Sequence, residues 1–151
     1  MRSLRAGAAA GLAVLLTVLV AAAGCGLLGG GRNEALDGPW ELASFGDAAG
    51  PVVDDAGMVP TMTLDAGEVT GHSGVNQFGG SYTWSSDGTF EFEDVTRTAV
   101  GGTEAQMAVE QKFFDALEAV RRYEVADTRL RLSDDEGGDL LIFDPKGPGD
   151  R

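Results

Sequence analysis

The segment Tyr82-Thr83-Trp84-Ser85-Ser86-Asp87-Gly88-Thr89-Phe90-Glu91-Phe92 decides the fold class. Large apolar and polar residues alternate on both sides of an Asp-Gly pair, a period of two that is typical of strands with one buried face. Asp-Gly is a preferred hairpin turn. We therefore expect two antiparallel strands that place four aromatic rings on one buried face: Tyr82, Trp84, Phe90 and Phe92.

Shorter stretches of the same kind flank this hairpin. Residues 40–45, 61–64, 68–70, 130–132 and 140–143 are strand candidates, separated by Gly-, Pro- and acid-rich loops at 46–60 and 133–138. One helix is expected from Glu104 to about Arg122, because Thr103 and Gln106 form a capping-box pattern. Its packing stripe is expected to consist of Val109, Phe113, Ala116, Leu117 and Val120. The expected fold is α+β, a small barrel-like antiparallel sheet with one packed helix.

The N-terminus has the pattern of an export signal. Arg2 and Arg5 precede an apolar run at 11–23, which ends in Ala22-Ala23-Gly24-Cys25. This ending resembles a bacterial lipobox, with Ala22 where leucine is usual. We expect cleavage between Gly24 and Cys25 and attachment of acyl chains such as palmitate to the Cys25 thiol, the only thiol in the chain. The alternative is an uncleaved membrane helix, since the run approaches the roughly 20 residues that span a bilayer.

These features divide the chain into a signal peptide (1–24), a Gly-rich tether (25–35), one domain (36–143) and a frayed tail (144–151). Cleavage would leave 9 basic and 24 acidic residues, a formal charge of −15. So acidic a chain excludes nucleic-acid binding. We expect an exported, monomeric protein, held outside the cytoplasm at the membrane by its lipid.

Catalytic and metal-binding patterns are weak. Gly71-His72-Ser73-Gly74-Val75 approaches a nucleophile elbow, but Val75 replaces the last glycine and no strand-to-helix context follows. One histidine and one cysteine are too few for a zinc site. Acidic turns leave calcium open as an alternative to solvated turns: Asp54, Asp55, Asp134, Asp135, Glu136 and Asp139. We expect no enzyme activity, no metal and no cofactor.

Three segments resemble the META domain, found in HslJ-type lipoproteins and also called DUF306. They are Gly38-Pro39-Trp40-Glu41-Leu42, the stretch from Gly71 to Tyr82, and Thr96-Arg97-Thr98-Ala99-Val100. The resemblance covers nearly all of 36–143. It implies a compact β-rich fold and a cell-envelope role linked to stress and drug tolerance, with no catalytic mechanism. The motif residues that it carries over are Gly38, Trp40, Gly74, Asn76, Phe78, Gly80, Tyr82 and Thr96.

The resemblance leaves the roles of these residues open. They are structural, or else Asn76 and Tyr82 line a ligand cleft. The family often has cysteines at the positions of Val75 and Val100, which implies that these two sites are neighbours and that buried valines replace a disulfide. Thr98 stands where the family has methionine, a change expected to affect packing only.

Three functions follow as hypotheses. The first is a non-catalytic envelope lipoprotein that binds an unidentified protein or envelope component. The second is a carrier of a small apolar ligand, which a cavity lined by the four aromatic rings would favour and close packing would disfavour. The third is a hydrolase that uses His72 and Ser73.

Overall fold

The computed structural model describes residues 32–46 and 59–147. The predicted signal peptide, the Gly24-Cys25 cleavage site, most of the tether and the end of the tail lie outside these residues. Within them, no helix is both long and apolar enough to cross a membrane.

The described chain forms one curled, half-barrel antiparallel sheet and one helix, which confirms the expected α+β class. The strands lie in the order β5-β4-β3-β2-β1-β8-β7-β6. Their bounds are β1 Gly38–Ser44, β2 Thr61–Asp65, β3 Glu68–His72, β4 Gln77–Trp84, β5 Phe90–Arg97, β6 Arg122–Ala126, β7 Arg129–Ser133 and β8 Asp139–Pro145.

The two edge strands of the sheet meet at one end only. Thr89 and Arg122 form an isolated antiparallel bridge. Around it, the Phe90 amide donates to the Arg121 carbonyl at 2.9 Å, and the Tyr123 amide donates to the Gly88 carbonyl at 2.9 Å. Beyond Phe90, no described strand pairs with β5 on this side. The half-barrel is therefore closed at this end and open along the rest of β5.

Helix α1, Glu104–Ala119, connects these two edges. Its start is as predicted, because Thr103 caps it and Gln106 completes the capping box. Its end comes earlier than predicted, since Val120 is already extended and Arg122 begins β6. Arg121 still acts at the C-terminus, where its guanidinium donates to the carbonyl oxygens of Glu118 and Val120 at 2.8 and 2.6 Å.

The aromatic hairpin supplies much of the core. Tyr82 and Phe90 are buried and stacked with ring centroids 5.2 Å apart. Phe92 packs on Phe90 at 4.9 Å, and Trp84 lies 6.5 Å from the ring of Tyr123. All four rings pack in or against one core, as predicted, but only Tyr82 and Phe90 are fully buried.

The helix buries a narrower apolar stripe than predicted. Phe113, Leu117 and Val120 are buried, whereas Val109 and Ala116 are only partly covered. The remaining buried helical position is a charged residue, Glu110.

Both ends of the domain extend past the predicted boundaries. Strand β8 continues to Pro145, so residues 144 and 145 belong to the sheet and not to a frayed tail. Asp144 pairs with Arg129 at 2.7 Å. Before β1, the Asn33 carbonyl accepts from the amides of Leu36 and Asp37, both at 2.8 Å, so the end of the predicted tether is a turn.

Candidate functional site

The motif residue Asn76 lies in the turn between β3 and β4. The Ser73 amide donates to the Asn76 carbonyl at 2.8 Å, and the Asn76 amide donates to the Ser73 hydroxyl at 3.1 Å. Gly74 sits within this turn at φ +102°, a conformation that residues with a side chain rarely adopt. The turn therefore fixes the Asn76 side chain at one end of the sheet.

The side chain of Asn76 ties this turn to the segment that follows β5. Its Oδ1 accepts from the Thr98 hydroxyl and from the Val100 amide, both at 2.7 Å. Its Nδ2 donates to the Val100 carbonyl at 3.0 Å. The buried Asn76 side chain thus bonds to both the N–H and the C=O of Val100 and fixes the segment after β5 against the β3–β4 turn.

Glu110 is the second central residue of this region, and the sequence patterns did not predict its role. Only 1% of the residue is exposed. Asn76 Nδ2 donates to both carboxylate oxygens of Glu110, each at 3.0 Å, and the Ser73 hydroxyl donates to Oε2 at 3.0 Å. Arg97 Nη1 lies 3.3 Å from Oε1. We call Ser73, Asn76, Arg97 and Glu110 the polar cluster; its members stabilise the buried charge by hydrogen bonds and one ion pair.

The two residues of the proposed hydrolytic pair bond to different partners. The Ser73 hydroxyl has one proton, and its acceptors are Glu110 Oε2 and the Asn76 carbonyl, each at 3.0 Å. His72 Nδ1 instead accepts from the Gly74 amide at 3.1 Å. A serine hydrolase needs the serine bonded to the histidine, so this arrangement argues against a His72–Ser73 mechanism.

Tyr82 lies apart from Asn76, in the core. Its hydroxyl donates to Asp37 Oδ1 at 2.9 Å, and burial raises the pKa of Tyr82 to about 12. Trp40 is similarly fixed, because its indole N–H donates to the Leu36 carbonyl at 2.8 Å. Tyr82 is only 1% exposed, which favours the structural role over the alternative in which it lines a ligand cleft with Asn76.

The remaining motif residues have structural contacts. Phe78 packs on Phe113 and Phe114 at 5.5 and 5.6 Å. A Cβ at Gly80 would lie 2.8 Å from the Glu93 carbonyl oxygen, so this glycine allows β4 and β5 to approach. Gly38 has a φ of +148°. Thr96 is exposed, and its Oγ1 donates to the Gly79 carbonyl at 3.3 Å.

An open groove runs between the free edge of β5 and helix α1. Its volume is about 370 Å³, and its lining is Phe92, Val95, Arg97, Phe114, Leu117 and Glu118. Arg97 links this β5–α1 groove to the polar cluster, because its guanidinium lies 4.4 Å above the Phe114 ring while Nη1 faces Glu110. The Arg97 side chain is 42% exposed, so part of the cation faces solvent.

A second cavity, of about 450 Å³, lies where Asn76 and Glu110 approach the surface. Val100 and Met107 flank it and are 59% and 38% exposed, the exposed large hydrophobic residues of the described chain. The expectation that Val75 and Val100 are both buried is therefore wrong, because Val100 is exposed and Val75 is only partly buried. Val100 nevertheless contacts Asn76, the residue after Val75, and a Cβ on Gly102 would lie 3.0 Å from Val75 Cγ2.

Two carboxylates of the acidic turn between β7 and β8 bond to groups of the protein. Asp134 Oδ1 accepts from the Gly138 amide at 2.8 Å, and Asp139 pairs with Arg131 at 2.8 Å. Within residues 32–46 and 59–147, no three His, Cys, Asp or Glu side chains are grouped to hold a metal ion. Asp54 and Asp55 lie outside the described residues.

Comparison with known proteins agrees with this geometry. A solution structure of a protein from Burkholderia xenovorans is similar to the chain at 27% identity and a TM-score of 0.59, over 75% of this chain and 85% of that one. A DUF4847 family protein from Bacteroides vulgatus shares the fold at 17% identity and a TM-score of 0.54, over 72% and 92% of the two chains. No curated protein matches the chain. The model of the META domain family matches residues 34–147, and the chain therefore belongs to that family.

Proposed function

We propose that the protein is a lipid-anchored component of the cell envelope whose META domain binds a partner without catalysing a reaction, in a role in envelope stress or integrity. The anchor is supported by the sequence from Ala22 to Cys25. Incorporation of a clickable fatty-acid analogue into the wild-type chain, but not into Cys25→Ala, is the expected result; equal labelling of both would contradict it.

The binding role is supported by one observation, the β5–α1 groove beside the edge of β5 that faces away from β4, with which no other described strand pairs beyond Phe90. A groove of about 370 Å³ that combines four apolar side chains with Arg97 and Glu118 has the mixed lining of a recognition site. The polar cluster supports this surface from below, because Glu110 holds Arg97 against Phe114. We assign the cluster a positioning role.

Site-specific crosslinking in intact cells tests this role. A photo-reactive benzoylphenylalanine replaces Glu118 in the groove or, as a matched control, Glu124 on β6, and both positions are exposed. We expect adducts from position 118 that disappear when Cys25→Ala removes the anchor. Adducts of equal yield from position 124, or none from 118, would contradict binding through the groove.

A carrier of a small apolar ligand is the second candidate, and the same groove favours it. Its volume of about 370 Å³ falls in the roughly 300–1,000 Å³ range of ligand sites. The interior is a poorer candidate, because Tyr82 and Phe90 are stacked there and nearly unexposed. An apolar fluorescent dye should lose affinity on Val95→Asp and keep it on Val125→Asp at the opposite edge. Equal loss would exclude the groove as the dye site.

A further inference from the structure

We infer that the β5–α1 groove binds an extended peptide by strand addition to β5, and that this peptide alternates apolar and basic residues. The inference rests on the proposed binding function and specifies its partner. Three independent features of the groove lead to it: the free backbone of the edge strand, the apolar lining and the charge on its outer face.

The backbone of β5 is available for pairing next to the groove. The Phe90 amide points away from β4, since it donates to the Arg121 carbonyl of the β6 side. Backbone groups of alternate residues point the same way along a strand, so the polar groups of Phe92 face the groove. On this side, none of the strands in residues 32–46 and 59–147 pairs with Phe92. Extended peptides add to such edges through main-chain hydrogen bonds.

The β-bulge in β5 limits the length of the partner. The β4–β5 register shifts between Gly79 and Ser81, and Asp94 adopts φ +52° opposite this shift. Bulges and charges on edges restrict promiscuous pairing. The partner therefore pairs with β5 between Phe90, whose amide is bound to Arg121, and Asp94, and it lays its remaining residues against α1. The paired part covers three residues of β5, about 10 Å at about 3.3 Å per residue.

The inner face of the groove selects apolar side chains. Phe92 and Val95 on β5 face Phe114 and Leu117 on α1, and Phe92, Val95 and Phe114 are only partly covered. A strand added to β5 directs every second side chain towards this face. Val or Leu at those positions would cover the three partly exposed residues.

The outer face of β5 selects basic side chains. Glu91, Glu93 and Asp94 are exposed and do not line the groove, so their carboxylates lie on the other face of β5. The domain carries a large negative charge, so a cationic peptide is attracted from a distance as well. Arg97 ends the acidic stretch. Like-charge repulsion therefore places the basic residues of the peptide beside Glu91 and Glu93.

The test uses a fluorescein-labelled, end-capped peptide, Val-Lys-Val-Lys-Val-Lys-Val, titrated onto the full chain in neutral detergent and followed by anisotropy. Two control peptides are used: one carries N-methyl groups on its five inner backbone amides, which removes the donors and keeps the side chains, and the other has Glu in place of all Lys. The protein variants are Glu91→Lys with Glu93→Lys, and a matched pair that changes the net charge equally, Glu124→Lys with Glu136→Lys. All four positions are exposed.

We expect saturable binding of the Lys peptide, at least tenfold weaker binding of both control peptides, and at least tenfold weaker binding to the β5 variant than to its matched control. Equal weakening by both variant pairs would overturn the inference in favour of non-specific charge attraction. Dye binding in the groove without peptide binding would overturn the inference that the ligand is a peptide, and it would leave the proposed binding function standing. Absence of both would also remove the proposed binding function.

Discussion

The side-chain amide of Asn76 donates to both carboxylate oxygens of Glu110, each at 3.0 Å, across 34 residues of sequence. The same amide group holds Val100, so one side chain connects the β3–β4 turn, the segment after β5 and helix α1. Because Glu110 is almost unexposed, the two hydrogen bonds from Asn76 replace water contacts that the carboxylate has lost. The polar cluster is thus a specific, buried link between sheet and helix.

Asn76→Asp should destabilise the domain by about 3 kcal/mol at pH 7, because a second carboxylate replaces a donor beside buried Glu110. Urea unfolding measures the loss. Gln77→Glu is the matched control, since it makes the same amide-to-acid change at an exposed neighbour and should cost less than about 0.5 kcal/mol. Equal costs for the two variants would show that the Asn76–Glu110 contact does not support the fold.

Gly80→Ala should destabilise the domain by about 2 kcal/mol, because the added Cβ would lie 2.8 Å from the Glu93 carbonyl oxygen and 3.0 Å from Val95 Cα. Gly79→Ala is a control one residue away, where the nearest atom would be at 3.6 Å. We expect a clear difference between their thermal midpoints. Identical midpoints would mean that β4 and β5 separate at no cost.

Tyr82 should give the domain a pH-dependent stability in alkali. Burial raises the folded-state pKa of Tyr82 from 10.0 to about 12, so only the unfolded chain releases this proton between those values. The stabilisation is complete below about pH 10 and is lost as the pH rises towards about 12. Absorbance of phenolate at 295 nm should show a high-pH phase that Tyr82→Phe removes. A titration unchanged by Tyr82→Phe would contradict this assignment.

Val75→Cys with Val100→Cys should form a disulfide in an oxidising buffer when Cys25 is replaced by alanine. Val100 contacts Asn76, and the Gly102 position lies against Val75, which places the two segments side by side. Because Val100 is 59% exposed, the oxidant reaches the thiol directly. Thiol counting before and after reduction measures the bond, with each single-cysteine variant as control. Two free thiols in the folded double variant would refute the proximity.

Local patterns were sufficient to predict most of the elements. Alternation around Asp87-Gly88 predicted the aromatic hairpin, and the pair Thr103 and Gln106 predicted the helix start, because both signals depend on residues close in sequence. The α+β class followed from the order of the elements.

The site itself required contacts that no local pattern contains. Glu110 shares the spacing of Phe113 and Leu117, yet a glutamate on a helix is ordinarily assigned to the solvent face. Its burial becomes favourable because the β3–β4 turn brings Ser73 and Asn76 to its carboxylate and β5 brings Arg97. The β5–α1 groove depends in turn on where the half-barrel fails to close, which is a property of the whole sheet.

The central place of β1 has a consequence for how the chain folds. Strands β2 to β5 pair with neighbours in chain order, as do β6 to β8, whereas β1 must also pair with β8, for example Trp40 with Pro145. Closing that loop of about 100 residues costs on the order of 4 kcal/mol of chain entropy, so this pairing forms late. A chain that emerges with its N-terminus first leaves one edge of β1 bare until β8 arrives. Intermediates with this unprotected edge are the species most prone to aggregate.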